Sequence, residues 1–176
     1  GDVMRAAITA PYAQPLTIVP LGNSAATPAG GLTAQVVRFA SYADLEAAPA
    51  GSLTGKIAFI DHAMRPTQDG SGYGYFGRGR FVGPNAAAKK GAIAIVIRSI
   101  GTDSHRNPHT GVTNFEAGVT PIPAGAISNP DADLLVRQWQ HGKPLRLKLL
   151  LTPKTLGDQP SGNVIAEVPG SDPKAS

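Results

Sequence analysis

Gly55-Lys-Ile-Ala-Phe-Ile60 and Ala92-Ile-Ala-Ile-Val-Ile97 are short β-branched runs bounded by turn residues, the pattern of buried strands. Between them, Asn85-Ala-Ala-Ala-Lys-Lys-Gly91 is alanine-rich and closed by a glycine, the pattern of a helix with its C′ residue. The stretch Gly55 to Gly101 therefore predicts a β-loop-α-β unit. Its loop carries Gly70, Gly72, Gly74, Gly77, Gly79 and Gly83, with Tyr73, Tyr75, Phe76, Arg78 and Arg80 between them. That composition predicts a mobile surface loop.

The pattern continues in both directions. Leu16 to Pro20 and Leu32 to Phe39 are strand-like, separated by a loop with Gly22, Pro28, Gly30 and Gly31. Ser41-Tyr-Ala-Asp44 has the form of a capping box with Asp in place of Glu, predicting a short helix that Pro49 to Gly51 ends. Downstream, Thr102 to Gly111 is a polar loop of the length that usually makes contacts or carries function. Ile122 to Ile127 predicts a strand, and Asn129-Pro130 supplies an N-cap and first-turn proline for a helix reaching Gln140. Ala132, Leu135, Val136 and Trp139 fall at helical spacing, so that face should pack on the sheet. Leu145 to Leu149 alternates as a half-exposed strand does, and Asn163 to Val168 reads as the last one.

The 176 residues fit one domain, which at this size buries about two-thirds of the surface of its unfolded chain. Hydrophobic residues at 41% against charged residues at 16% argue against disorder, and 21 Gly with 16 Pro argue for strands joined by turns rather than a helical bundle. The net charge of +4 comes from scattered basic residues, so nothing points to nucleic acid. The lack of cysteine excludes disulfides and thiolate metal sites. No apolar run approaches the roughly 18 residues of a membrane-spanning helix. The Gly1 start and the tail from Gly170 suggest a piece of a longer polypeptide.

Leu21-Gly-Asn-Ser-Ala-Ala-Thr-Pro28, Gly31-Leu-Thr-Ala-Gln-Val-Val37, Gly55 to Ile60, Gly91 to Ser99, Pro108-His-Thr-Gly111 and Asn163 to Gly170, in that order and spacing, resemble a protease-associated (PA) domain. The similarity is to the PA domain inserted in di-zinc exopeptidases of the carboxypeptidase Q and aminopeptidase Y type. This resemblance implies an α+β, swivelling β/β/α fold spanning residues 1–176, with 1–14 and 170–176 as linkers to a catalytic peptidase domain. It implies a non-catalytic lid over the active-site cleft, governing substrate access or protein contacts. It also implies two zinc ions in the catalytic domain and none here, a peptide substrate at the cleft edge, a possible homodimer, and a secreted or periplasmic location. No His here has the His-x-Asp form that begins the metal ligands of that family.

Several residues carry chemistry worth weighing. His105 and His109 stand four apart with Asp103 nearby, as zinc ligands do, which gives the remote alternative of a self-sufficient metallohydrolase, but Pro108 disfavours a helix there and a third ligand is not apparent. Gly72-Tyr-Gly-Tyr-Phe-Gly77 matches Gly-x-Gly-x-x-Gly, yet it neither follows its strand directly nor opens the helix as a dinucleotide loop must. Ser104-His105 and Asp61-His62 lack the nucleophile elbow of a serine hydrolase. Arg78, Arg80, Lys89 and Lys90 could attract an acidic ligand, which gives the alternative of an autonomous binding module; a solvated helix face is the simpler reading. From the resemblance, Tyr73, Tyr75, Arg78, Arg80, His105, Asn107, His109 and Thr110 are the residues expected to face substrate or a partner.

Overall fold

A computed structural model describes residues 3–157 and 160–167. The two apolar runs of the deciding stretch form neighbouring parallel strands, β5 (Ile57–Ile60) and β6 (Ala94–Arg98), in register Ile57 to Ala94 and Ile60 to Ile97. Strand β4 (Leu32–Phe39) lies parallel on one side and β7 (Ala124–Ile127) on the other. All residues of β5, β6 and β7 are buried, as expected of parallel strands covered on both faces. Beyond β4 the sheet turns antiparallel through β8 (Arg146–Leu151), β1 (Met4–Ala10) and β2 (Gln14–Leu16), while β3 (Ile18–Pro20) pairs with β7 at the opposite end.

The strand order is therefore β2-β1-β8-β4-β5-β6-β7-β3. Its two ends, β2 and β3, are separated in sequence only by Thr17, so the sheet curls until it is nearly closed. The inner face gathers Ile8, Ile18, Val36, Phe59, Val96, Leu147 and Leu149 around Ala132 and Leu135 of α4 (Asn129–Trp139). On the other face of the parallel half, Ile60, Ile95 and Ile97 meet Leu45 of α1 (Tyr42–Ala47) and Ala86 and Ala87 of α3 (Gly83–Lys89). The result is a strand-rich α+β fold with a few helices.

Several expectations hold in detail. Ser41 Oγ accepts the Asp44 backbone N–H, which is the first half of the expected capping box. Gly91 ends α3 at φ +91°, and a Cβ there would lie 2.7 Å from Thr54 Oγ1. Helix α4 starts one residue earlier than expected: Ser128 is the cap, its hydroxyl accepting the Asp131 N–H, and Asn129 is already helical.

Other expectations are corrected. The glycine-rich loop is helical, forming α2 (Tyr73–Phe81) and running almost directly into α3. Glycine costs a helix about 1 kcal/mol per residue, but Gly79 and Gly83 lie against the Ile60 side chain, where a Cβ would sit at 3.5 and 2.9 Å. Close packing on β5 outweighs the local propensity. Residues 1–14 are not a plain linker, because Met4–Ala10 pairs on both sides within the sheet. Trp139 meets the sheet through a cation rather than an apolar side chain: it is 42% exposed, with the guanidinium of Arg38 on β4 4.7 Å from its ring centre. Gln138 takes the buried position and exchanges hydrogen bonds with the Tyr12 backbone. Asn163 to Glu167 forms no strand, having no partner strand among the described residues; Val168 and the expected second linker, 170–176, lie outside them.

Candidate functional site

The carboxyl ends of β4 to β7 open on one side of the sheet, the side on which ligands of open parallel sheets bind. Two segments meet there, α2 and the polar loop 102–111. His109 donates its backbone N–H to Ser99 Oγ just beyond β6, and Thr110 Oγ1 donates to Pro20 O at the end of β3. These contacts bring His109 to Tyr73, whose hydroxyl lies 2.7 Å from His109 Nε2. Arg80, two turns further along α2, donates from Nη1 to the same hydroxyl at 2.8 Å. The phenol oxygen accepts from a permanently charged guanidinium and either donates to or accepts from His109 Nε2, according to the imidazole tautomer. Gly111 lets the Arg80 guanidinium approach closely, since a Cβ there would stand 2.8 Å from Arg80 Cζ. Arg80 Nε is buried without a hydrogen-bond partner. Three of the eight expected residues thus form one knot, presenting aromatic faces and hydrogen-bonding groups of the kind enriched at interfaces.

The other five are not part of that knot. Tyr75 stacks edge-on against His62 and Phe76, with ring centres 5.4 and 5.2 Å away. Arg78 lies over the Tyr42 ring at 5.3 Å. Thr110 is spent on Pro20. His105 Nδ1 accepts the Asn107 backbone N–H at 3.2 Å. Asp103 Oδ1 lies 3.3 Å from the same nitrogen, but a nitrogen that already accepts cannot donate, and Asp103 Oδ1 has no hydrogen-bond partner. The two imidazoles therefore serve different partners, and among the described residues no group of three or more His, Asp or Glu is placed to hold a metal ion.

Beside the knot lies a buried ionic network. Asp61, the first residue after β5, accepts from Arg38 Nε and Nη2 at 3.0 and 2.6 Å through Oδ2. Its Oδ1 accepts from Arg98 Nε at 2.7 Å and lies 2.6 Å from Arg98 Nη2. Arg98 also reaches Asp133 Oδ1 at 2.8 Å and the Asn129 carbonyl at 3.2 Å. The Asp61 and Arg98 side chains are each only 7% exposed, so each charge depends on its partners. Asp131 forms a second clasp, accepting from the Thr17 backbone N–H at 2.6 Å and from Arg106 Nη2 at 2.6 Å. That clasp ties the polar loop to α4 and to the corner between β2 and β3. His62 sits against Phe76 at 4.4 Å, and its burial lowers its pKa below the ordinary 6.5 despite the opposing pull of Asp44 and Asp61.

The chain is 35% identical to carboxypeptidase Q of Mus musculus over 161 residues, which is 92% of this chain and 33% of that protein. The chain is homologous to a segment of carboxypeptidase Q. The Peptidase M28 precursor of Shewanella amazonensis superposes with a TM-score of 0.83 at 52% sequence identity, covering 85% of this chain and 34% of that one. The zinc aminopeptidase of Bacillus subtilis shares the fold at 19% identity and a TM-score of 0.54, covering 86% of this chain and 31% of its own. No family model matches the chain. The chain spans about a third of the length of the curated relatives it matches.

Within this carboxypeptidase Q-related segment, sequence reading overlooked the residues that hold the site together. Arg38, Arg98 and Arg106 are cations in or beside apolar runs, and Asp61 stands out in the sequence only through the histidine beside it. The usable signal was positional: Arg38, Asp61 and Arg98 occupy the ends of three runs that become adjacent strands.

Proposed function

We propose that the chain is the protease-associated domain of a zinc exopeptidase. In this reading it is a non-catalytic module beside the catalytic domain that covers the edge of the active-site cleft and limits which peptides reach it. The supporting observation is coverage: at 52% identity the segment accounts for only 34% of the Shewanella M28 peptidase chain. The rest of such a chain is long enough to hold a separate catalytic domain, to which the two zinc ions belong. The Tyr73–Arg80–His109 knot is the part of this domain that meets peptide or the catalytic domain, with Tyr75, Arg78, His105 and Asn107 around it. The Shewanella relative is a precursor, in keeping with an exported or periplasmic enzyme.

The test is made in the M28 peptidase that carries this chain, with Tyr73→Ala and Arg80→Ala each assayed on a small chromogenic substrate and on longer peptides. A gating surface predicts kcat on the small substrate within about twofold of wild type and a several-fold change in kcat/KM for longer peptides, as expected for lost binding rather than lost chemistry. A fall of about 100-fold or more in kcat on the small substrate would make these residues catalytic and overturn the reading.

A further inference from the structure

In the polar loop 102–111, His105 Nδ1 has two partners within reach and can serve only one of them at a time. With its lone pair it accepts the Asn107 backbone N–H at 3.2 Å. At 3.3 Å from the same nitrogen stands Asp103 Oδ1, a buried carboxylate oxygen that no donor satisfies. A lone pair and a carboxylate oxygen this close repel each other, and an oxygen buried without a donor is destabilising. A proton on Nδ1 reverses both preferences. The nitrogen then donates to Asp103 in a charge-assisted hydrogen bond, and the Asn107 N–H faces another N–H instead of an acceptor.

The other charged groups of the loop and of the elements it packs on are engaged elsewhere. Arg106 is bonded to Asp131, and Arg98 to Asp133. On α2, Arg80 donates to the Tyr73 hydroxyl and Arg78 lies over the Tyr42 ring, while Arg137 sits in the last turn of α4 and β3 carries no charge. The remaining titratable group of the loop, the His109 ring, is turned to Tyr73. The two sides of the choice differ in freedom. The Asp103 carbonyl is fastened to α4 by Asn129 Nδ2, which also bonds the Gly101 carbonyl. Asn107, by contrast, is followed by Pro108, which has no N–H to tie the chain down. The His105 side chain is 58% exposed, so solvent reaches the nitrogen.

We propose that His105 is a proton-operated latch of this loop: unprotonated it holds Asn107, and protonated it turns to Asp103 and releases the Asn107–Pro108 step. That step leads directly to His109, so the latch sets how firmly the loop holds this imidazole against Tyr73. The latch does not depend on the lid reading.

Nuclear magnetic resonance of the 15N-labelled 176-residue chain would follow it from about pH 8 to about pH 5, the range in which imidazoles ordinarily change charge. At the upper end the ring shifts of His105 should show a bare Nδ1 and a protonated Nε2. As the ring gains its second proton, the Asn107 amide should lose at least about threefold in protection from exchange, relative to the intrinsic rate at each pH. A hydrogen-bonded Nδ1–H resonance should appear at the same time. In Asp103→Ala the imidazole still charges but has no second partner, so that resonance should be lost. In His105→Gln the Asn107 amide should keep its protection constant, while the His109 ring still titrates. An Nδ1-protonated neutral ring, an Asn107 amide whose protection ignores the His105 titration, or a hydrogen-bonded Nδ1–H retained in Asp103→Ala would each overturn the proposal.

Discussion

Replacing Asp61 by Ala removes the shared acceptor of two arginines. In the native chain its carboxylate accepts from Arg38 at 2.6 and 3.0 Å and from Arg98 at 2.7 Å. Removing one partner of a buried ion pair costs about 3–5 kcal/mol, because the other charge stays buried without compensation. Here compensation is partial: Arg98 keeps Asp133 and the Asn129 carbonyl, and Arg38 keeps the Trp139 ring. The lower end of that range, about 3 kcal/mol, is therefore expected. For a chain of this length it corresponds to a fall in Tm of about 6–12 °C. Urea unfolding followed by circular dichroism, with Trp139 fluorescence as a second probe, measures it. Asp133→Asn is the control: Asp133 is 56% exposed, so its loss should cost less than about 1 kcal/mol. Replacing the pair by apolar residues, as in Asp61→Leu with Arg98→Met, should recover part of the loss, because it also removes the more buried of the two orphaned cations, leaving Arg38 to the Trp139 ring. A loss below about 1 kcal/mol for Asp61→Ala, or one no larger than for Asp133→Asn, would refute the reasoning.

Further outcomes follow from other parts of the fold. Because burial lowers the His62 pKa below 6.5, the folded state disfavours the proton, and its contribution is complete above that pH and lost as pH falls through and below it. Tm should therefore drop more between pH 7 and 5 for the native chain than for His62→Phe, and superimposable profiles would exclude this. Gly91→Ala combines a φ of +91° with a Cβ 2.7 Å from Thr54 Oγ1, whereas Gly118→Ala, at φ +86° with nothing within 4 Å, carries the backbone term alone. Chemical unfolding should give about 1 kcal/mol for the second and at least twice that for the first. Tyr73→Phe removes the hydroxyl linking Arg80 to His109 and should cost under about 1 kcal/mol at this exposed site. It should remove the hydrogen-bond partner of His109 Nε2, a change visible in the imidazole nitrogen shifts; unchanged shifts would mean that the hydroxyl does not bond the ring.

Much of the fold was legible because the parallel strands are buried on both faces and so appear as uninterrupted apolar runs. Helix α4 was visible from its proline and its periodicity, though its cap fell on Ser128 rather than Asn129, since either residue can serve there. The glycine-rich helix α2 was not legible: its propensity is poor, and it is seated by the close approach to Ile60 of Gly79 and of Gly83 at the start of α3. Strand β1 was passed over because Met4 to Ala10 has only Ala6 and Ile8 buried, and its register comes from β8, which lies over a hundred residues downstream in sequence. Of the site, the residue types were legible but the grouping was not. Tyr73, Arg80 and His109 meet only because the polar loop is fastened to Ser99 and Pro20. The Asp61 network needs the strand order β4-β5-β6, which local pattern does not contain.

The measurement closest to the central claim is a combined activity and metal assay on the purified 176-residue chain. It would be offered dipeptides and aminoacyl p-nitroanilides with added zinc, followed by metal analysis after desalting. A non-catalytic accessory domain predicts hydrolysis indistinguishable from buffer and zinc far below one ion per chain. Sustained hydrolysis that a chelator abolishes and zinc restores would contradict it.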